Sequence, residues 1–452
     1  MSPTVAALLL LSAGASPPPA PHVAFLPGGL ELVVVPVERA DTASLRYVVR
    51  SGSARDPVGK EGLAHVLEHL LVRDAKVPLG LVEASKAAGA TLNAFTSRDS
   101  TVYVLDAPAA AFEGLAEAYL RAITDPVLPH DSIDRELGVV QSEADHHRGG
   151  ELAKYVEDTL FRSSPHEGTP LGDARTRRGI ERKDVLEFFQ RNYATANTTL
   201  VFTGAVTEAS VRALLDRAFL LPPSTPGEQV APKVAAPSLP LTEKVRAPFI
   251  VAVLGFRLDP ADLPACEALA SLIELRMLVA LRIREQLIHS ASVGCYAFRG
   301  SDFLLAMAYA PTLEASDLPL TMEEIFRAAA GREPSAQERR LLERRLERLR
   351  EELIDDPGEL ADAFGWAAAR PREAGRTDLP RLSPRPLPIA AMRATARRAF
   401  TPQRRVLLLL SPFEGLRARA PDRVGRAHGP SNNRRALTIR QGRAVARPSR
   451  PK

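Results

Sequence analysis

The sequence predicts an α+β protein: two similar units, each an antiparallel sheet packed with helices, joined by a linker in a clamshell arrangement. Strand-like apolar runs and longer stretches of helical period follow one another in the same grammar twice along the chain, and each unit ends near an apolar strand, as a diverged duplication would. The Pro-rich residues 221–248 separate the two runs. A length of 452 residues, 45% of them hydrophobic, is enough for two or three cored domains.

In the first unit the pattern predicts strands at 30–35 and 45–50 and a helix over 60–73. Helices follow at 109–123, 131–147 and 182–191, then a strand at 198–203 and a helix at 208–218. The second unit opens with a strand at 249–255 and a long helix over 260–285. A strand pair at 292–298 and 303–309 comes next, then helices at 322–330, 336–353 and 357–368, and a final strand at 405–410. Residues 337–352 are dense in opposite charges at i, i+3 and i+4, which predicts a solvated helix with a narrow leucine stripe.

The chemistry concentrates in His65-Val66-Leu67-Glu68-His69. On a helix His65 and His69 are i and i+4, so both imidazoles leave one face about one turn apart. Glu68 lies beside them, where it can act as a base on water held at a metal. This H-x-x-E-H order is a metallopeptidase motif. Two histidines need a third protein ligand and an open position for water. The segment 134–143 reads as a helix with two glutamates seven residues apart, on one face: Glu143 is the candidate third ligand, and Glu136 a carboxylate that orients a ligand histidine or a substrate amine.

With these residues the chain resembles the M16 metallopeptidases, whose pattern is H-x-x-E-H followed about 75 residues later by the glutamate ligand; here 73 residues lie between His69 and Glu143. Gly62-Leu63-Ala64 is similar to the family's entry to the motif, and Thr91-Leu92-Asn93-Ala94-Phe95-Thr96-Ser97 with Thr101-Val102-Tyr103 to its edge strand and the strand after it. The resemblance spans roughly residues 23–412. It implies a Zn2+ ion on His65, His69 and Glu143, with Glu68 as general base. It also implies a peptide substrate held by strand addition at Asn93 and Ala94.

The second half departs from that pattern. The family carries an arginine and, seven residues later, a tyrosine that hold substrate and stabilise the oxyanion. Setting Arg284-Glu285 on the family's Arg-Glu puts Ile288 at its glycine and Ala291 at its tyrosine; setting Arg282 there puts Gln286 at the glycine and His289 at the tyrosine. The first register keeps the Arg-Glu pair and makes Arg284 the substrate-binding candidate. Neither supplies the tyrosine. In parts of this family a metal-bearing subunit works with a partner carrying the Arg/Tyr segment, so the resemblance implies that this chain is the metal-bearing member of a heterodimer. The competing expectation is a non-catalytic binding or scaffold subunit of the same fold.

The domain reading is then a signal peptide and Pro-rich linker over 1–22, a metal-binding peptidase domain over 23–220, a linker over 221–248, a peptidase-like domain over 249–415 and a basic tail over 416–452. The short apolar core 5–11 before Ala13-Gly14-Ala15 reads as a secretion signal, which places the chain in the periplasm or outside the cell. It is too short to span a membrane, and no other stretch is a candidate. Residues 417–452 hold ten arginines and one lysine against one aspartate, about +10 of charge. The whole chain is +5, so residues 1–416 sum to about −5. The basic balance belongs to a Pro-, Gly- and Asn-rich tail of disordered composition, which argues against nucleic acid as partner. Cys266 and Cys295 lack zinc-ligand spacing and are open to pairing or to burial as thiols. His22, His130, His146, His147, His166 and His428 fall in no metal spacing.

Overall fold

A computed structural model describes residues 20–72, 80–128, 130–146, 152–161, 170–221, 238–247, 249–298, 301–311, 318–369 and 386–411. The segment expected to be a secretion signal (apart from residues 20–22), most of the Pro-rich segment, the residues beyond 411, and His147, His166 and His428 lie outside them. The first half contains β1 (His22–Phe25), β2 (Glu31–Pro36), β3 (Thr42–Val49), α1 (Leu63–Val72), α2 (Leu81–Ala87), β4 (Thr91–Thr96) and β5 (Thr101–Pro108). It continues through α3 (Ala109–Thr124), α4 (His130–His146), α5 (Leu152–Leu160), α6 (Ala174–Arg178), α7 (Arg182–Asn192), β6 (Thr198–Gly204) and α8 (Glu208–Ala218). The second half runs β7 (Leu241–Arg246), β8 (Val251–Leu258), α9 (Leu263–Met277), β9 (Ser290–Phe298), β10 (Ser301–Tyr309), α10 (Leu318–Gly331), α11 (Ala336–Asp355), α12 (Pro357–Ala369), α13 (Ile389–Ala399) and β11 (Arg405–Ser411).

The two sheets share one topology. The first has order β1-β2-β6-β3-β5-β4 and the second β7-β11-β8-β10-β9. Once β1 is set aside, the chain order of strands across each sheet is the same. In both, the first pair is parallel (β2 with β6, β7 with β11) and the remaining pairs are antiparallel. The sequence-based reading of two similar sheet-plus-helix units therefore holds, with one correction. β7 lies inside the Pro-rich segment expected to be linker, and it is the second sheet's counterpart of β2. Its alternation Leu-Thr-Glu-Lys-Val-Arg, half-buried on one side only, is what an edge strand shows.

The central strands are apolar throughout because both faces are covered. Leu32 and Val34 of β2, Leu45 and Tyr47 of β3, and Tyr103 and Leu105 of β5 face a core shared with α1, α3, α7 and α8. The opposite face, through Val33, Val35, Val201, Val48, Val102 and Val104, is covered by Leu360, Phe364, Ala368 and Ala369 of α12, a helix from the second half of the chain. The second sheet mirrors this. One face packs on α9, α10 and α13, while the other takes Val156 and Leu160 of α5 and the following Phe161, from the first half, against Val251, Val253, Phe303 and Leu408. Each unit lends a helix to the other's sheet, so the two are interleaved rather than merely linked.

α12 is pinned by Arg46 on β3. This guanidinium, 2% exposed, meets Asp106 at 2.6 Å and Asp362 of α12 at 2.5 Å and donates to the Gly358 carbonyl at 3.0 Å. The helix comes close because residue 365 is glycine: a Cβ there would lie 3.3 Å from the Arg46 side chain. The long helix expected over 260–285 is broken into α9 and a π-helical turn at Leu278–Arg284. Cys266 of α9 and Cys295 of β9 form a disulfide, their Cα atoms 6.1 Å apart.

Candidate metal centre

α1 is built as a buried helix. Leu63, Ala64, Val66, Leu67, Leu70 and Leu71 fill the first core, and His65 and Glu68 are buried with them. Its start is held by Asp56, whose carboxylate accepts the N–H groups of Gly62 at 2.7 Å and Ala64 at 2.9 Å, the acidic cap that a helix N-terminus favours. Gly62 has φ of +103°, and a Cβ on it would sit 2.7 Å from the Leu171 carbonyl oxygen, so the turn into α1 accepts only glycine without displacement.

The loop that crowds Gly62 also locates α4. Arg177 of α6, buried, donates to the carbonyls of Leu171 at 2.6 Å and Gly172 at 2.7 Å and to the side-chain oxygen of Gln141 at 2.7 Å on α4. Two turns of α4 then face α1. Glu143 Oε2 lies 3.7 Å from His65 Nε2 and 3.4 Å from His69 Nε2. Glu136, only 1% exposed, has Oε2 3.5 Å from His69 Nδ1, so the two nitrogens of that ring address two different carboxylates.

The donor set fits a zinc ion. A tetrahedral ion with bonds of about 2.0–2.1 Å keeps its ligand atoms about 3.4 Å apart, close to the 3.4 and 3.7 Å between Glu143 and the two imidazole nitrogens. His65, Glu68 and His69 can bring one ligand atom each within 4.8 Å of one another. Burial pushes the Glu68 carboxyl up, offset in part by a hydrogen bond from Thr96, to about 7. For His69, burial pulls the imidazole down, but its bonds to Glu136 and Glu143 outweigh this and raise it to about 9.

The strand next to the motif contributes directly. The Thr96 hydroxyl of β4 donates to Glu68 Oε2 at 2.6 Å, which fixes one carboxylate oxygen and leaves the orientation of the other defined. β4 is the terminal strand of its sheet among the described residues. Asn93 is exposed on it, its carbonyl accepts the buried Tyr119 hydroxyl at 3.0 Å, and its side-chain oxygen accepts the Ala94 N–H at 2.9 Å. Sequence reasoning named this strand but missed the Thr96–Glu68 bond, which joins residues 28 apart on two elements. The cap at Asp56 and the Arg177 tie between the loop and α4 carried no signal in the sequence.

The second-half candidates are less enclosed. Arg282 and Arg284 are exposed on the π-helical turn, and no ion pair joins either to another described residue. Gln286 adopts φ of +54°, the left-handed region that favours glycine, whereas Ile288 is buried two residues before the terminal strand β9. Gln286 stands on the family's glycine in the register through Arg282, and Ile288 does in the register through Arg284. Among the remaining described histidines, His22 is exposed and lies 3.8 Å from Glu208.

Residues 32–172 match the family model for insulinase (peptidase family M16), and residues 179–338 match the model for the peptidase M16 inactive domain. Mitochondrial-processing peptidase subunit beta of Saccharomyces cerevisiae is 27% identical over 202 residues, 44% of this chain and 44% of the relative. An insulin-degrading enzyme homolog of Dictyostelium discoideum is 32% identical over 178 residues, 37% of this chain and 18% of the relative. The matched segment thus spans less than half the length of these curated relatives. Among solved structures, a protease from Helicobacter pylori superposes with a TM-score of 0.72 at 19% identity, over 88% of this chain and 100% of that one. The first half of the periplasmic protease PqqL from Escherichia coli does so with a TM-score of 0.68 at 17% identity, over 89% and 94%. At such identities the likeness is one of fold.

Proposed function

The chain belongs to the M16 (insulinase) peptidase family, and we propose that it is a zinc-dependent endopeptidase for extended peptides or unfolded segments, the metal-bearing subunit of a two-subunit enzyme. The observation that carries this reading is the spacing of Glu143 from the two histidines, 3.4 and 3.7 Å, beside a buried Glu68 held by Thr96. In it His65, His69 and Glu143 would hold zinc, which would lower the pKa of water and act as a Lewis acid toward the scissile carbonyl. Glu136 orients the His69 ring through Nδ1. A peptide adds to β4 at Asn93 and Ala94, placing its scissile amide over α1. Glu68 accepts the proton of the attacking water and returns it to the leaving amine nitrogen.

The proposed domains are a peptidase domain over 23–220 and a second unit over 249–415, with β7, which pairs into the second sheet, lying in the segment before it. No helix among the described residues is long and apolar enough to cross a membrane. Export to the periplasm is supported by the disulfide, which persists in oxidising compartments, and by the fold shared with a periplasmic protease.

A non-catalytic scaffold role is the second reading. It is favoured by the lack of a tyrosine seven residues after either Arg284 or Arg282 and by the match of the second half to a domain described as inactive. Zinc content and chelator-sensitive cleavage of an unstructured peptide separate the two. Cleavage that appears only when an M16 subunit carrying the Arg/Tyr segment is added supports the heterodimer; full turnover by the isolated chain overturns that part, and absence of bound zinc overturns the peptidase assignment.

A further inference from the structure

One face of β4 belongs to the site already described: Leu92 and Ala94 pack on the core of α1 and α3, and Thr96 bonds Glu68. Successive side chains of a strand point to opposite faces, so Thr91, Asn93 and Phe95 lie on the other. There α12 crosses the sheet. Its Pro357 carbonyl accepts the Thr203 hydroxyl of β6 at 2.5 Å, Gly365 lies against Arg46 of β3, and Ala368 and Ala369 pack with Val102 and Val104 of β5. At the far end Trp366 reaches β4 and stacks on Phe95, ring centroids 5.0 Å apart and planes within 24°.

Trp366 is the only tryptophan in the chain and stays 48% exposed, although an aromatic of this size is usually well covered. It stands at the terminal strand of the sheet, where the Ala94 N–H is occupied only by the exposed side chain of its own neighbour. A strand added there would run about 4.7–4.9 Å from β4, with alternate side chains on the α12 face. Those side chains would sit beside Phe95 and against the open flank of Trp366, at the distance of a cross-strand pair.

We propose that Phe95 and Trp366 form an aromatic shelf for an aromatic or large aliphatic side chain of a peptide added to β4, on the face turned away from the metal. The shelf supplies a sequence preference to a substrate otherwise held by main-chain bonds, and it couples the second half of the chain to recognition at the first. This rests on the peptidase reading for its ligand, an extended peptide at β4.

The test uses the full chain with Glu68→Gln, loaded with zinc, and two tryptophan-free fluorescein-labelled peptides. One alternates phenylalanine with threonine; the other has serine in place of each phenylalanine. The phenylalanine peptide is expected to change the emission of Trp366 and to bind about five- to tenfold more tightly by polarisation. Trp366→Ala should bring the two peptides to parity, and Trp366→Phe, which keeps the stack, should restore the preference. Unchanged emission at saturation, a preference untouched by Trp366→Ala, or no binding of either peptide overturns the shelf. Zinc content and cleavage by the chain with Glu68 intact are read separately. Their failure counts against the peptidase reading, and the shelf is judged on binding alone.

Discussion

Glu68 is buried one residue before His69 and accepts the Thr96 hydroxyl, so its role and its fold contribution can be separated by a single isosteric change. Glu68→Gln is expected to retain zinc and the melting temperature and to lose cleavage by about 100-fold or more; activity near the parent's would remove Glu68 as the base. His69 gives a second test. Its carboxylate partners hold it protonated up to about pH 9 in the metal-free chain, whereas zinc takes the neutral ring. Zinc binding at pH 7 should therefore release a proton, and apparent affinity should climb with pH and level off above about 9. Calorimetry in two buffers of different ionisation enthalpy reads this as a buffer-dependent heat; identical heats would count against it. Of these contacts the histidine pair and Glu68 were legible in five letters, because one helix turn places them. Glu143 was a candidate from the paired glutamates of 134–143, strengthened by the family spacing, and Thr96 could not be paired with Glu68 by any periodicity.

The placement of α4 against α1 is what turns separate motifs into one donor set, and Arg177 is the residue that ties α4 to the loop under Gly62. Arg177→Ala is expected to lower zinc affinity about tenfold or more with helix content preserved, since supports of ligands commonly matter to that degree; equal affinity would show that α4 is located by packing alone. A second clamp joins helices of the other unit. Burial raises the Glu338 carboxyl, but Arg276 at 2.7 Å and the Ser335 N–H at 2.7 Å more than compensate and bring it to about 2. A depressed carboxyl contributes stability that is present above its usual value near 4.5 and is lost as pH falls toward 2. Urea midpoints of Glu338→Gln and the parent should differ at pH 7 and converge toward pH 2; a constant difference would argue against the clamp. Most helices and central strands were readable from period and apolar runs. β7 was not, because its partner β11 lies some 160 residues on and its own pattern is that of a polar edge.

Interleaving has consequences for the chain as a whole. Without α12, the first sheet would expose Val33, Val35, Val48, Val102 and Val201, and without α5 the second would expose Val251, Val253 and Phe303. Either half expressed alone should be insoluble or molten, and co-expression of both should recover soluble protein; a well-folded, monomeric first half would contradict the exchange. Arg46→Ala removes the cation between Asp106 and Asp362 and should cost about 3 kcal/mol, the low end for a broken buried pair because both carboxylates stay about one-third exposed. A shift under about 0.5 kcal/mol would mean that α12 is held by its apolar face alone.

The amino-acid order alone carried the fold class and the metal motif with its distant glutamate candidate, since these depend on local period, residue type and spacing; the expectation of a partner came only from the family resemblance. Tertiary contact was needed for the rest: the exchange of α5 and α12, the cross-element bonds of Thr96, Arg177 and Arg46, the disulfide of Cys266 with Cys295, and the reach of Trp366 over β4. All of these join residues tens to hundreds of positions apart. Their partners are chosen by how buried faces and charges are satisfied in three dimensions, which no one-dimensional pattern encodes.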